Sequence, residues 1–211
     1  MLSVIIVAAG SSQRMGFDKL MAPLHGKPVL SHSVNAFLQS PDVAEVILVS
    51  TKERFNELAI SNNKLKLTSG GENRHDSVSR GITAVSAGAK FIAVHDGARP
   101  FISQEQIHRT LEAAQKHGAA ASATRITDTV KRSNAENFAI ESVSRDHLWA
   151  METPQIFNAD LLKKAYQHIE KSGALVTDEV SALELIGTHT YLVENHTINT
   201  KITYPQDLVI V

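Results

Sequence analysis

Short apolar runs alternate with amphipathic segments through the first half of the chain, and this alternation constrains the fold most strongly. The apolar runs, which we expect to be strands, are Ser3–Ala8, Glu45–Ser50, Leu65–Thr68, Phe91–His95 and Ala119–Ala123. The helical patterns between them lie near Val29–Leu38, His75–Ala87 and Gln104–His117. This alternation favours an α/β fold with a mostly parallel sheet and helices on both faces. Because ligands of such sheets bind at the carboxyl ends of the strands, the residues that follow each strand are the candidate site residues.

The pattern changes between residues 124 and 155, where two short alternating strands flank the polar turn Ser133–Asn137. This hairpin can be a projecting arm or an extension of the sheet, and the pattern alone leaves both open. The α/β rhythm then returns. We expect helices near Ala159–Ile169 and Asp178–Leu185, strands around Tyr191–Val193 and Asn199–Thr203, and a single domain over residues 1–211.

Composition and charge exclude several classes of protein. The 211 residues carry a formal net charge of −1, which gives no overall basic field for nucleic-acid binding. Cysteine is absent, which excludes disulfides and thiolate chemistry. No apolar run is long enough to span a membrane, and the first residues lack the basic flank of a signal peptide. We therefore expect a cytoplasmic protein with no membrane or nucleic-acid partner, in which a local group of cations binds any polyanion.

The first candidate loop, VAAGSSQRMGFDK, follows the first predicted strand. Ala8, Ala9 and Gly10 are small and allow a ligand to approach the backbone, whose N–H groups favour an anion. Arg14 and Lys19 add positive charge beyond the turn. The glycine spacing matches neither a dinucleotide fingerprint nor a Walker A loop, and taken alone this loop is better explained as a solvated surface turn.

The second and third candidate loops follow two further strands. In GGENRHDSV, Gly71 again permits close approach, while Arg74 and Ser77 can reach a phosphate or a base, or simply cap a helix. In VHDGARP, Asp96 stands at a strand end, where it can contact a substrate hydroxyl or Mg²⁺, or pair with Arg99.

Two residues in the carboxyl-terminal half are further candidates. Thr177 can cap a helix whose first turn holds Asp178 and Glu179, and Lys201 lies in a short predicted strand among apolar neighbours. The ten histidines show no metal-binding spacing, and the G-x-S-x-G motif of acyl-transfer enzymes is absent.

Taken in order, these motifs resemble one family. The series VAAGSSQRMGFDK, GGENRHDSV, VHDGARP, TDTVKR, SRDHLWAMETPQIF, TDEVSALE and NTKIT resembles the 2-C-methyl-D-erythritol 4-phosphate cytidylyltransferases, from Val4 to about Leu208. The resemblance implies a Rossmann-like fold with an inserted β-hairpin arm at 124–155. It also implies a reaction of CTP with methylerythritol phosphate that releases pyrophosphate in a non-mevalonate isoprenoid pathway.

The resemblance also implies roles for individual residues. Catalytic roles fall to Arg14, Lys19, Arg145 and Lys201; nucleotide contacts to Ala8, Ala9, Gly10, Gly71, Glu72, Arg74 and Ser77; and acceptor contacts to Asp96, Thr129, Arg145, Thr177 and Lys201. Thr129 and Arg145 would reach the partner subunit's site from the arm of a homodimer. The implied cofactor is Mg²⁺ or another divalent cation, held mainly by the CTP phosphates with Asp96 as a candidate ligand.

The chain departs from the family pattern at a few positions. Ser11 and Ser12 stand where the family commonly has a further glycine, Glu72 replaces the expected aspartate, and METPQ replaces QTPQ. The competing hypotheses are a ribitol 5-phosphate cytidylyltransferase, a nucleotidyltransferase for a sugar 1-phosphate, and a nucleotide-binding relative without turnover. TDTVKR, ETPQ and NTKIT disfavour the second, and the retained cations and Asp96 disfavour the third.

Overall fold

The computed structural model describes residues 1–10 and 16–209. The strands are β1 (Leu2–Val7), β2 (Pro23–Leu24), β3 (Lys27–Pro28), β4 (Val43–Val49), β5 (Leu65–Thr68), β6 (Phe91–Asp96), β7 (Ala119–Arg125), β8 (Val130–Ser133), β9 (Ala139–Val143), β10 (Trp149–Asn158) and β11 (Tyr191–Glu194). The helices are α1 (Val29–Leu38), α2 (Lys52–Leu58), α3 (Arg74–Ala84), α4 (Gln104–His117), α5 (Ala159–Ser172) and α6 (Glu179–Glu184), followed by a 3-10 helix at Pro205–Leu208.

Seven strands form one sheet in the order β11-β7-β10-β6-β1-β4-β5. Every pairing in it is parallel except those of β10, which runs antiparallel to both β6 and β7. Val7 at the end of β1 pairs with Val49 of β4 and with Asp96 of β6. The register therefore brings the carboxyl ends of three parallel strands level, and the loops that follow them meet.

The sheet is covered on both faces, as the buried side chains of β1 show. Val4 and Ile6 belong to one apolar cluster with Phe37 of α1, whereas Ile5 belongs to another with Leu162 of α5. Because successive side chains of a strand point to opposite faces, the two clusters lie on opposite sides of the sheet. The predicted mostly parallel α/β fold is confirmed.

Most of the predicted elements form within a residue or two of their expected bounds, and the differences have local causes. The predicted strand Asn199–Thr203 does not form, although Ile202 is buried, because these residues make individual hydrogen bonds rather than a strand ladder. α2 was not predicted, since Leu58 is its one buried side chain and its amphipathic signal is correspondingly weak. α3 ends at Ala84 rather than at Ala87.

The predicted hairpin at 124–155 separates into two parts. β8 and β9 pair with each other in a two-stranded sheet of their own, from Val130 with Val143 onward. Residues 124–125 and 149–155 instead belong to β7 and β10 of the large sheet. Across residues 1–10 and 16–209, no helix has the length and apolar character needed to cross a membrane.

Candidate active site

The loop after β1 packs directly against the glycine loop after β5. Ala8 is buried, and its N–H donates to the Val49 carbonyl oxygen at 2.8 Å. A β-carbon on Gly70 would lie 2.1 Å from the Ala9 β-carbon, so this approach requires glycine. The predicted small residues are thus needed for contact between the two loops. The predicted site residue Arg14 lies outside the described residues.

The side chain of Ser77 fixes the second loop from within. Its hydroxyl accepts a hydrogen bond from the Gly71 N–H at 3.0 Å and donates to the Asn73 carbonyl oxygen at 3.2 Å. Ser77 is buried, whereas Glu72 is exposed. The hydroxyl predicted to meet the nucleotide therefore shapes the loop that would contact it.

Asp96, at the end of β6, is the centre of the charged group at the strand ends. Its two carboxylate oxygens accept hydrogen bonds from Arg74 Nη2 at 3.3 Å and from Lys201 Nζ at 2.6 Å. Burial opposes the negative charge of Asp96, but Arg74 and Lys201 outweigh it and hold the pKa of this carboxyl well below its usual range. Asp96 is therefore an ionised carboxylate shared between two cations.

Arg74 joins Asp96 to a second buried carboxylate. Its guanidinium donates to both oxygens of Glu179, at 2.8 and 3.0 Å, and Glu179 also accepts from the Tyr166 hydroxyl at 2.9 Å. Burial would lower the pKa of Arg74, but Glu179 and Asp96 raise it above its ordinary value. The guanidinium predicted to contact the nucleotide thus ties α3 to α6.

Lys19 is hydrogen-bonded to the segment that carries Lys201. Lys19 Nζ donates to the Ile202 carbonyl oxygen at 2.7 Å across 183 positions of sequence, and Ile202 directly follows Lys201. The Ile202 N–H in turn donates to the Ala98 carbonyl oxygen at 2.8 Å, in the loop after β6. These bonds place both ammonium groups near the end of β6.

The segment that carries Lys201 is held by side chains rather than by a strand partner. The side-chain amide of Asn199 donates to Glu152 Oε2 and to the Thr153 backbone carbonyl oxygen, each at 2.9 Å. The backbone carbonyl oxygen of Asn199 accepts from Arg99 Nη1 at 2.7 Å. Burial lowers the pKa of Arg99 from its ordinary value. Lys201 is thereby positioned without the strand that its sequence predicts.

A neutral histidine is linked through the Thr153 hydroxyl to the backbone N–H of Asp96. His95 is fully buried, and burial lowers its pKa to about 4. Its Nε2 lies 3.1 Å from the Arg99 carbonyl oxygen, which can only accept, so Nε2 carries the proton. Nδ1 then accepts from the Thr153 hydroxyl at 3.0 Å, and Thr153 Oγ1 accepts from the Asp96 N–H at 3.0 Å.

An open cleft of about 570 Å³ lies beside these residues. Its lining comprises Arg74, Asp96, Arg99, Met151, Glu152, Thr153, Gln155, Thr177, Asp178, Val180, Ser181, Glu184, His189, Thr190, Leu192 and Lys201. The cationic and hydroxyl side chains among these lining residues suit a phosphorylated and hydroxylated ligand. The arrangement can bring two anions together and neutralise their charge.

Four of the predicted residues line this cleft: Arg74, Asp96, Thr177 and Lys201. Thr177 does not cap α6, which was the alternative to its predicted contact with the acceptor. The capping residue is Asp178, whose Oδ1 accepts from the Ser181 N–H at 2.9 Å. A carboxylate at this position also interacts favourably with the helix dipole, and Thr177 is left exposed in the cleft.

The two predicted arm residues lie away from the cleft. Thr129 and Arg145 are exposed, they flank the β8–β9 hairpin, and neither is among the lining residues. Arg145 donates to the Thr127 carbonyl oxygen within its own arm.

Sequence reasoning missed several residues of the site. Glu152 and Gln155 lie on β10, whose antiparallel insertion no local pattern indicates, and Gln155 Oε1 accepts from the Glu179 N–H at 3.1 Å. Arg54 on α2 donates to the loop after β1. The rule that sites follow strand ends could have found Arg54, because it lies five residues after β4 ends at Val49.

The described part of the site does not form a metal-binding cage of protein ligands. Within residues 1–10 and 16–209, no group of three or more histidine or acidic side chains could hold a metal ion. Asp96 is one of the carboxylates that line the cleft, and Mg²⁺ characteristically takes one or two carboxylates together with substrate phosphates. The residues therefore fit a metal that arrives on a triphosphate.

The comparisons with known proteins agree with this geometry. The family model described as IspD, 2-C-methyl-D-erythritol 4-phosphate cytidylyltransferase, matches residues 2–211. The chain belongs to this family. The predicted family and its enzyme class, a nucleotidyltransferase, are thus confirmed.

Relatives and solved structures match the chain over nearly its whole length. The 2-C-methyl-D-erythritol 4-phosphate cytidylyltransferase of Caldanaerobacter subterraneus is 37% identical over 99% of this chain and 96% of the relative. That of Dehalococcoides mccartyi is 38% identical over 99% of this chain and 93% of the relative. The crystal structure of the Francisella tularensis enzyme is 30% identical and has a TM-score of 0.87, with 99% of this chain and 97% of that chain covered.

Proposed function

We propose that this protein transfers the cytidylyl group of CTP to the phosphate of 2-C-methyl-D-erythritol 4-phosphate and releases pyrophosphate. The observation that carries the proposal is the pairing of Lys201 with Asp96 in the wall of the cleft, with Lys19 bonded to the carbonyl oxygen of Ile202, the residue that follows Lys201. The relatives in the family bear the name of this activity. A site with two cations and room for two anions is what the reaction needs.

The reaction needs no general base and no covalent intermediate. The nucleophile is an oxygen of a phosphate monoester, which is already anionic at neutral pH. It attacks the α-phosphorus of CTP, a new P–O bond forms, and the bond to the β-phosphate oxygen breaks with its electrons leaving on pyrophosphate. The protein therefore contributes positioning and charge neutralisation.

Each cation has a separate task in this scheme. Lys201 neutralises the acceptor phosphate, while Lys19, with Arg14 from the same loop, neutralises the charge that develops on the α-phosphoryl and leaving groups. Asp96 orients Lys201 and Thr177 offers a hydroxyl in the cleft, which is consistent with binding of the polyol. Ala8, Ala9, Gly10, Gly71 and Glu72 border the cytidine.

A divalent cation such as Mg²⁺ completes the proposed site. It would be carried mainly by the triphosphate, with Asp96 as a candidate carboxylate ligand in the cleft. When bound, it neutralises phosphate charge and polarises the reacting phosphoryl group.

The proposal includes a homodimer in which the arm of one subunit completes the other's site. Two large apolar side chains of the hairpin region, Phe138 and Ile140, are 70% and 60% exposed, which supports a buried role in an assembly. Thr129 and Arg145 lie on the same arm and away from the cleft of their own chain. Each would contact the acceptor phosphate in the partner's site.

The decisive experiment measures pyrophosphate release with Mg²⁺, each of the four nucleoside triphosphates and a panel of polyol phosphates. We expect release with CTP and methylerythritol phosphate. A higher kcat/KM with ribitol 5-phosphate would show that ribitol 5-phosphate is the substrate. Turnover with a sugar 1-phosphate would place the protein among the sugar 1-phosphate nucleotidyltransferases. No release with any pair would indicate a nucleotide-binding protein without turnover.

Subunit mixing tests the arm. Lys19→Ala and Arg145→Ala homodimers should each be nearly inactive, because every site lacks one cation. Random exchange of subunits should restore about a quarter of wild-type activity, since half the dimers are mixed and one of their two sites holds both residues. No recovery after exchange, verified with differently tagged chains, would show that the arm serves its own site or none.

A further inference from the structure

Arg54 of α2 contacts two separate pieces of the chain at the nucleotide side of the site. Its Nη1 donates to the Ala8 carbonyl oxygen at 2.6 Å and its Nη2 to the Gly10 carbonyl oxygen at 3.0 Å. Its Nε donates to Asp18 Oδ2 at 2.6 Å. All three nitrogen atoms of one guanidinium are thus engaged, on the residues after β1 and on the residue before Lys19.

The Arg54 side chain is held in place by several neighbouring groups. The Arg54 side chain is 11% exposed, so its position is fixed by its partners rather than by solvent. α2 begins with Thr51, whose hydroxyl oxygen accepts from the Arg54 N–H at 3.3 Å. Ser50 adds a second donor to the Ala8 carbonyl oxygen at 3.2 Å. The carboxyl end of β4 and the start of α2 together hold the beginning of the loop after β1.

The bonds determine where the peptide groups of that loop point. Carbonyl oxygens are negative, and would repel a triphosphate if they faced it. In a trans peptide the C=O and the following N–H point in opposite directions, so the bond from Arg54 to the Ala8 carbonyl turns the Ala9 N–H away from Arg54. The N–H groups of Ala9 and Gly10 have no hydrogen-bond partner among residues 1–10 and 16–209, which leaves two donors for a bound anion.

Asp18 connects Arg54 to the turn that carries Lys19. One carboxylate oxygen of Asp18 is held by Arg54, and the other accepts from the Leu20 N–H at 3.1 Å. The turn that carries Lys19 is therefore anchored to the same guanidinium as the loop after β1.

We propose that Arg54 is a positioning residue for the cytidylyltransferase reaction, and this inference rests on the proposed function. It binds no reacting atom. It presents the Ala9 N–H and the turn of Lys19 to CTP in one fixed arrangement, and the planar guanidinium suits this role because its donors are spread over three nitrogen atoms, whereas a lysine carries all its donors on one.

The test compares Arg54→Ala, Arg54→Lys and Asp18→Asn with Lys52→Ala, which removes a neighbouring exposed cation from the same helix. We expect Arg54→Ala to raise the KM for CTP about tenfold, the effect of losing roughly one charge-assisted hydrogen bond. The KM for the acceptor should change less than about twofold, since its site is organised by Asp96 and Asn199. Arg54→Lys and Asp18→Asn should have smaller effects on CTP, and Lys52→Ala should have none.

Hydrogen exchange of the Leu20 amide gives a readout that does not depend on turnover. Its protection should fall in Arg54→Ala and in Asp18→Asn but not in Lys52→Ala. Should Arg54→Ala fail to fold, Arg54→Lys and Asp18→Asn carry the test.

The outcomes separate the two proposals. An unchanged KM for CTP in all the Arg54 and Asp18 variants of an active enzyme would overturn the role of Arg54 alone. Equal increases in both KM values would show a general structural role instead. A wild-type protein that releases no pyrophosphate would overturn the proposed function, and the role of Arg54 in it as well.

Discussion

Lys201 Nζ lies 2.6 Å from Asp96 Oδ2, although 105 positions separate the two residues in the chain. The ion pair holds the ammonium group at the end of β6 before any substrate is bound. Arg74 donates to the other oxygen of Asp96, so the single negative charge of this carboxylate is shared between two cations and does not fully neutralise Lys201. The lysine can therefore serve an incoming phosphate.

Replacing Lys201 should weaken use of the acceptor. We expect Lys201→Ala to lower kcat/KM for the polyol phosphate about 100-fold, or about 2.7 kcal/mol, because a phosphate loses a charge-assisted partner. The KM for CTP should stay within about threefold. Steady-state kinetics with each substrate varied in turn provide the measurement, and Lys116→Ala, an exposed lysine on α4, is the control. A larger effect on CTP than on the acceptor would contradict the assignment.

Lys19 should act in the transition state rather than in binding alone. Lys19→Ala is expected to lower kcat by roughly 10²–10³-fold, about 3–4 kcal/mol, as for removal of one pre-organised charge-stabilising donor. Single-turnover rates at saturating CTP and acceptor are the measurement. The exposed Lys27→Ala variant should retain the wild-type rate. A loss of less than about fivefold in kcat would remove Lys19 from the transition state.

Arg74 should be needed for folding stability as well as for the site. Glu179 is fully buried, and its carboxylate accepts hydrogen bonds from Arg74 and from the Tyr166 hydroxyl. Arg74→Gln would remove the positive charge that faces this buried carboxylate. The free energy of unfolding should fall by about 3 kcal/mol, as for breaking a buried ion pair. Urea denaturation is the measurement. Arg80→Gln on the same helix is the control, because Arg80 is exposed, and equal losses in both variants would contradict the prediction.

His95 should make the folded state sensitive to moderate acid. Its pKa falls from 6.5 to about 4 on burial, so the unfolded chain binds the proton more tightly than the folded protein does. Above pH 6.5 the histidine is neutral in both states, and its contribution to the free energy of unfolding is fully present. As the pH falls from 6.5 towards 4, the unfolded chain takes up the proton first, and the free energy of unfolding decreases by at most about 3 kcal/mol. The difference in unfolding free energy between wild type and His95→Gln should therefore depend on pH in this interval. A constant difference would show that His95 does not titrate there.

The sequence determined the parts of the fold that rest on local patterns. Three elements form with the predicted bounds, namely Leu65–Thr68, Val29–Leu38 and Gln104–His117. Each has a local apolar pattern, and Gln104–His117 also has end signals in the Ser103 cap and Gly118. The hairpin of β8 and β9 also forms about its predicted turn, since a few neighbouring residues suffice to specify it. The ordered motifs likewise indicated the family, and with it Lys19, Asp96 and Lys201.

The tertiary structure decided which side chains meet. Arg54 lies 36 positions from Asp18, Arg74 lies 105 from Glu179, and β10 enters the sheet antiparallel between β6 and β7. The segment with Lys201 looks like a strand because Ile202 is buried, yet side chains from distant loops hold it. Periodicity reports whether a residue is buried, but partners far apart in the chain are chosen by the register and packing of the whole sheet.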